Sequence, residues 1–432
     1  MKYKLIVFLS LTVLLFSTCK ETPKQESIVE NEAKIITETT KTSIDSTLNA
    51  FVDSKNIAGV SALIFEKGQE VYYNAFGYAD REASKKMDRN TIVQIYSMTK
   101  PVTGTALMTL YEAGKFDLDD PLSKYAPEFE NMKVYVGEDA QGNPILEDVN
   151  REITIRDITR HTAGFGSGGT SGLGKIVSEV DALNRENTLM QMAEIMGQTP
   201  LTFHPGEEWL YGSSVDVQAF LVERISGQPY SDYVREHVLD PMGMDKTRYF
   251  IPEEDHDQFA ALYRRTGEGQ LERDTITYEN YIKKWPLTRG GSGLTSTLDD
   301  YMKFAQMLVN KGRLDSVTIL KPETVKLMAT NQLADSVIKR HFLPSKGQVG
   351  FGIDFAVRVA PPINAEENMG VVGEFFWDGA ASTLFWVDPV NDLTAVLFVQ
   401  LFPYDGIGLH KSFRDAVYGN WANDQNLTTK GQ

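Results

Sequence analysis

Apolar runs crowd both ends of the chain, while its middle is written largely in a helical period. Near the front, Gly59-Val60-Ser61-Ala62-Leu63-Ile64-Phe65 and Glu70-Val71-Tyr72-Tyr73-Asn74-Ala75-Phe76 read as two strands joined at Lys67-Gly68 into a hairpin. Before them, Ile44, Leu48, Phe51 and Val52 mark one side of a short amphipathic helix over 44–52. At the back, β-rich runs occupy 349–357, 371–377, 382–387 and 393–401, and Asp388-Pro389-Val390-Asn391-Asp392 turns between the last two. A terminal helix follows over 411–421. Between the ends, helical spacing recurs in Val102, Ala106, Leu107, Leu110, in Val217, Phe220, Leu221, Ile225, and in Met302, Ala305, Leu308, Val309. Residues 133–149 have the pattern of a protruding hairpin, and 166–174 form a glycine-rich loop expected to be mobile beside a cleft. The predicted architecture is α/β. An antiparallel sheet is built from both chain ends and flanked by helices, and a mostly helical lobe comes from the middle. The α/β part takes residues 43–96 and 345–421, the helical part 97–344, and 422–432 form a tail.

The first residues have a different character. Met1-Lys2-Tyr3-Lys4 is a basic start, 5–16 is an apolar stretch too short to span a bilayer, and Phe16-Ser17-Thr18 lead to Cys19. This is the layout of a signal peptide over 1–18 with a lipobox-like cysteine after it. Cys19 is therefore a candidate lipidation site, ordinary secretion being the plainer alternative. Residues 19–42, rich in Glu, Lys, Thr and Ser, read as a flexible tether. The expected location is the bacterial envelope, exported and lipid-anchored. Cys19 is the sole cysteine, so no disulfide forms within one chain.

A net charge of −16 argues against nucleic acid and against electrostatic docking on anionic lipid. The six histidines show no metal-ligand spacing, and the glycine-rich segments follow neither a P-loop nor a dinucleotide fingerprint. No metal and no cofactor is expected. The acidic run at Asp117, Asp119 and Asp120 lacks the spacing of a calcium loop and reads as helix capping.

One tetrapeptide carries chemistry. Ser97-Met98-Thr99-Lys100 opens a helix that tolerates Pro101 in its first turn. Residues three apart share a helical face, so the Ser97 hydroxyl and the Lys100 amine can meet. A lysine desolvated there gives up its proton more easily and can take one from the serine. A Ser-x-x-Lys alone is a weak signal, usually a solvated cap. Tyr211 falls on a loop just before a second helix, where a hydroxyl can project into a cleft, although most such tyrosines only pack.

Taken together, the ordered stretches resemble the serine β-lactamase and penicillin-binding-protein superfamily, in particular its class C β-lactamase-like branch with the family VIII esterases. The resemblance rests on Tyr96-Ser97-Met98-Thr99-Lys100, Tyr211-Gly212-Ser213 and Trp377-Asp378-Gly379-Ala380. His161-Thr162-Ala163-Gly164, Phe203-His204-Pro205-Gly206 and Gly291-Ser292-Gly293-Leu294 support it. It implies that Ser97 is the acylated nucleophile, Lys100 its proton acceptor and Tyr211 the partner base, with Lys100 and Tyr211 both open as the base. It also implies an oxyanion hole from the backbone N–H groups of Ser97 and Ala380.

The third motif departs from the superfamily pattern. Trp377-Asp378-Gly379 stands where lactamases and peptidases carry a cationic or polar edge, and is similar to the Trp-Gly-Gly of family VIII esterases. Trp377, Asp378 and Gly379 are expected to contact substrate, the indole favouring neutral esters and Asp378 repelling a carboxylate. Arg289 offers a cation from the facing loop. The expected function is a serine hydrolase on small esters through an acyl-enzyme. A β-lactamase or D-amino-acid peptidase acting on cell-wall-like material is the alternative, and a non-catalytic peptidoglycan- or partner-binding relative a third. Oligomeric state stays open.

Overall fold

The computed structural model describes residues 34–420. The proposed signal peptide, Cys19, most of the tether, residue 421 and the tail over 422–432 lie outside the described residues. Five helices and eight strands suffice to place the site: α1 (Glu38–Asp53), α2 (Thr99–Glu112), α3 (Ser214–Ser226), α4 (Leu298–Val309) and α5 (Leu409–Tyr418). The strands are β1 (Gly59–Glu66), β2 (Gln69–Asp80), β3 (Lys85–Lys86), β4 (Val349–Phe351), β5 (Ala356–Arg358), β6 (Phe375–Asp378), β7 (Leu384–Asp388) and β8 (Leu393–Val399).

These strands form one antiparallel sheet in the order β4-β5-β6-β7-β8-β1-β2-β3. The two ends of the chain meet where β1 pairs with β8, Val60 opposite Val399 and Leu63 opposite Val396. Both faces are covered, as neighbouring residues of β7 show. Adjacent strand side chains point to opposite faces. Trp386 meets Phe413 of α5 at 5.4 Å, whereas Phe385 meets Tyr301 of α4 at 5.0 Å. α1 joins α5 on its face, where Asp45 accepts a hydrogen bond from Tyr72 of β2 at 2.8 Å.

Several boundaries differ from the sequence reading: the strand read over 371–377 begins only at Phe375, and the terminal helix read over 411–421 runs from Leu409 to Tyr418. The first helix begins at Glu38, because Thr37 caps it through its side chain and the Glu66 carboxylate accepts the Ile35 N–H at 2.6 Å. Residues 38–42, read as tether, are therefore helical. The 349–357 run breaks into two strands around Asp354, whose φ of 60° turns the chain. The hairpin expected over 133–149 is present as Lys133–Glu138 paired with Pro144–Asp148. The 97–344 stretch does not stay apart from the sheet, since α4 from within it packs there.

α2 is the centre of the molecule. Val102, Ala106, Leu107, Met108, Thr99, Thr103 and Thr105 are all buried, so the helix has no solvent face over its first two and a half turns. Buried hydroxyls need partners. Thr105 donates to Pro101 O at 2.9 Å and Thr103 to Gly290 O at 2.8 Å, while Thr99 accepts from Leu294 N at 3.2 Å. The last two contacts pin the 290–294 loop to the start of the helix. Among the described residues no helix is long and apolar enough to cross a membrane.

Candidate active site

Ser97 sits on the short 3-10 turn Tyr96–Met98 that feeds directly into α2. Tyr96 holds φ at 46°, a strained value for a non-glycine residue, and this turns the chain abruptly into the serine. One turn on, Lys100 Nζ reaches back to Ser97 Oγ at 3.2 Å and donates to the Gly291 carbonyl at 2.6 Å. The lysine is 4% exposed, and among the described residues no carboxylate lies within salt-bridge distance of it. Burial pushes its pKa down to about 8, against a partial opposing pull from Asp216. An amine in that state accepts a proton from a serine hydroxyl at neutral pH far more readily than a solvated lysine does.

Tyr211 closes the other side. Its ring lies 4.5 Å from Lys100 Nζ, and its hydroxyl faces the Ser97 side chain. Burial raises its phenol well above the usual value, so it stays a neutral O–H. Around it lies an aromatic cluster of tilted and edge-on rings: His161 at 4.8 Å, Trp377 at 5.2 Å and Phe342 at 5.3 Å. His161 is buried, and neither ring nitrogen has a protein partner. Desolvation and the nearby Lys100 charge lower its pKa well below the ordinary range, so it is neutral packing for Tyr211.

The strand motif is placed differently from the reading of Trp377 and Asp378 as substrate contacts. Trp377 is 1% exposed, and its Nε1 donates to the Tyr211 hydroxyl oxygen at 3.0 Å. It touches the tyrosine that faces the serine, and its ring presents no surface to a ligand. Asp378 is not an isolated anion. Lys346, itself buried, donates to its Oδ2, and Tyr404 donates to the same oxygen at 2.6 Å. The repulsion expected of Asp378 is thus neutralised in place. Arg289 is not a free cation either, since it pairs with buried Asp216 through two contacts of 3.3 Å.

Gly379 follows at the end of β6, in a close approach that explains why it is glycine. A Cβ there would lie 2.4 Å from the Ile95 carbonyl and 2.2 Å from Thr383 Oγ1. The strand end is therefore pressed against the chain just before Ser97. Ala380, next in sequence, sits in the tight turn closed by Gly379 N to Thr383 O at 2.9 Å.

A cavity of about 590 Å³ opens onto Ser97, Lys100 and Tyr211. Its far wall is apolar: Phe165, Val177, Val180, Leu183, Met196 and Pro200. The glycine-rich segment contributes Gly166, Ser167 and Gly168 to the rim, then enters the helix Gly172–Val180. Among the described residues no cluster of His, Cys, Asp or Glu could hold a metal ion.

A model of the family described as "Beta-lactamase" matches residues 44–417. The chain belongs to the β-lactamase family. It is 32% identical to the protein named "Protein Rv1367c" of Mycobacterium tuberculosis (strain ATCC 25618 / H37Rv), covering 81% of this chain and 88% of that one. It is 26% identical to "Esterase EstB" of Burkholderia gladioli, over 87% of this chain and 94% of the esterase. Among solved structures it resembles "EstCE1, a hydrolase with promiscuous acyltransferase activity", at a TM-score of 0.74 and 25% identity, over 88% of this chain and 99% of that one. The fold is that of the β-lactamases and transpeptidases, and the likeness runs to the family's class C-like branch with its esterase relatives. The protein is a serine hydrolase of the β-lactamase family.

Sequence reasoning missed Lys346, Tyr404, Asp216 and the apolar cavity wall. Lys346 carried no signal, being one lysine in the unremarkable stretch Leu343-Pro344-Ser345-Lys346. Asp216 had one: an acid in the first turn of a helix whose N-terminus follows the Tyr211 loop.

Proposed function

We propose that the protein is a carboxylesterase that cleaves small neutral esters through an acyl-enzyme on Ser97. The observation that carries this reading is the meeting of Lys100 Nζ and Ser97 Oγ at 3.2 Å beneath Tyr211, on the floor of an apolar-walled cavity. Ser97 Oγ attacks the acyl carbon, and its proton passes to neutral Lys100. The departing alkoxide takes a proton from the Lys100–Tyr211 pair, Tyr211 being the hydroxyl on the open side. Water then repeats the sequence in reverse and frees the acid. The Ser97 and Ala380 N–H groups serve as the oxyanion donors, each worth about 3–4 kcal/mol in the transition state.

Neutral esters are favoured over lactams and D-amino-acid peptides by the charge inventory of the site. The charged side chains lining the cavity are Lys100, Arg289 and Asp181. Arg289 is committed to Asp216, and Lys346 beside the strand motif to Asp378. A substrate carboxylate would find no cation to meet it except Lys100, whose protonated form cannot serve as the base. The name of EstB, and the esterase relatives generally, agree with this choice. The test is direct. Short p-nitrophenyl esters should be turned over, and a fluorophosphonate should label Ser97. A chromogenic cephalosporin should be slower by orders of magnitude in kcat/KM. Equal rates on the two substrates would overturn the ester assignment.

The same reading carries the expectation of export and lipid attachment at Cys19, motivated by the basic start, apolar stretch and small-residue approach to that cysteine. A palmitate analogue should label the wild type in cells, and equal labelling of Cys19→Ala would overturn it.

A further inference from the structure

The loop that holds Lys100 is fastened carbonyl by carbonyl. Tyr249 donates to Arg289 O at 2.9 Å, Thr103 to Gly290 O at 2.8 Å, and Lys100 to Gly291 O at 2.6 Å. The first two donors are neutral hydroxyls with no part in the chemistry. The third is the candidate base. What aims the Gly291 carbonyl is the buried Asp216 carboxylate in the first turn of α3, which accepts the Gly291 N–H at 3.0 Å. The same carboxylate binds the Arg289 guanidinium through both Nε and a terminal nitrogen. The loop must lie against α3 for this to work. A Cβ on Gly290 would come within 2.2 Å of the Val215 carbonyl, and one on Gly291 within 3.0 Å of Asp216 Oδ2. Two glycines and one acid thus bring a backbone carbonyl and an ion pair to Lys100.

We infer that the Asp216–Arg289 pair is a positioning and tuning device for Lys100: it holds the Gly291 carbonyl on the amine and balances the field in which the amine gives up its proton. This rests on the reading of Lys100 as the proton acceptor of Ser97. The other groups facing Lys100 are the Ser97 hydroxyl and the neutral Tyr211 and His161. Buried Asp354 also faces it, its carboxyl pushed well above the ordinary range by desolvation, as does Asp378, already paired with Lys346. Against that background the two members of the pair act with opposite sign. The carboxylate favours the ammonium, and the guanidinium opposes it.

The opposition supplies the test. Activity requires neutral Lys100, so kcat/KM for a neutral p-nitrophenyl ester rises with pH through the Lys100 titration. In Asp216→Asn the oxygen that accepts from Gly291 is kept and the charge is lost, so the rising limb should move to lower pH by about one unit. In Arg289→Gln the acid is left uncompensated, and the limb should move to higher pH by a similar amount. Arg289→Lys should restore the wild-type position. Shifts of the same sign in both variants, or none in either, would overturn the inference, since loss of fold or of loop order cannot move the limb in two directions. Ser97→Ala separates the layers of the argument. If it is inactive while the limbs do not shift, only the role of the pair falls. If it retains turnover, the nucleophile assignment falls and the inference with it.

Discussion

Two buried lysines flank the site, and they have opposite surroundings. Lys100 is 4% exposed and Lys346 is 5% exposed. Lys346 is matched by the Asp378 carboxylate and the Tyr404 hydroxyl, so its charge is met inside the protein. Lys100 has a backbone carbonyl, a serine hydroxyl and the face of Tyr211, and the acid that acts on it most strongly, Asp216, already serves Arg289. Burying an ammonium with a carboxylate makes a strut. Burying one without makes a proton acceptor. The distinction lies in the partner and not in the depth.

Mutation should expose the difference most sharply in activity. Lys100→Ala and Ser97→Ala should each lower kcat/KM by about 10⁴-fold or more while the fold survives. The double variant should be little worse than either single one, because both side chains serve one step. Steady-state kinetics with circular dichroism checks this, and additive losses would separate the two residues.

Lys346→Met should reverse the pattern. It leaves Asp378 as an unpaired buried anion, at a cost of about 3–5 kcal/mol in unfolding free energy by denaturant titration. Adding Asp378→Leu should recover most of that loss, since replacing both partners removes the stranded charge.

The stability of Lys100 variants sharpens the contrast from another side. The folded-state pKa of Lys100 lies near 8, below the ordinary value of 10.5. Between those limits the unfolded chain binds more protons than the folded one, so stability rises with pH across that window. The stability of the wild type minus that of Lys100→Met should therefore rise from pH 8 to 10.5, at up to about 1.4 kcal/mol per unit. A flat difference would mean that the lysine is charged throughout.

The smallest of these effects concerns Trp377. Trp377→Phe keeps the buried ring and removes the donor to Tyr211, so kcat should fall about tenfold with KM little changed. A change confined to KM would return the indole to the substrate side.

The same contrast explains what was legible in the chain. Ser97 and Lys100 are one helical turn apart, and local geometry alone brings them together. The hairpin at Lys67-Gly68 and the β-rich runs at the back were equally readable, because strand period and turn residues are local signals. Trp377 and Asp378 were quoted from the chain but misplaced, because their surroundings come from afar. The indole's acceptor, Tyr211, is 166 positions away, and Asp378 takes its partners from 32 and 26 positions off in separate loops. No residue pattern near Trp377 records those contacts. The helix start at Glu38 was missed for a smaller reason. Its anchor is Glu66, a strand residue, and without it the Thr- and Glu-rich lead reads as linker.

The proton inventory of Lys100 can be measured without turnover. With lysine ε-carbons labelled by ¹³C, the Lys100 resonance can be assigned by its disappearance in Lys100→Arg and followed from pH 6 to 11. It should titrate near 8, apart from the remaining lysines. A midpoint above 10 would leave less than about a thousandth of Lys100 neutral at pH 7, against about a tenth for a midpoint of 8, and would contradict the mechanism at its first step.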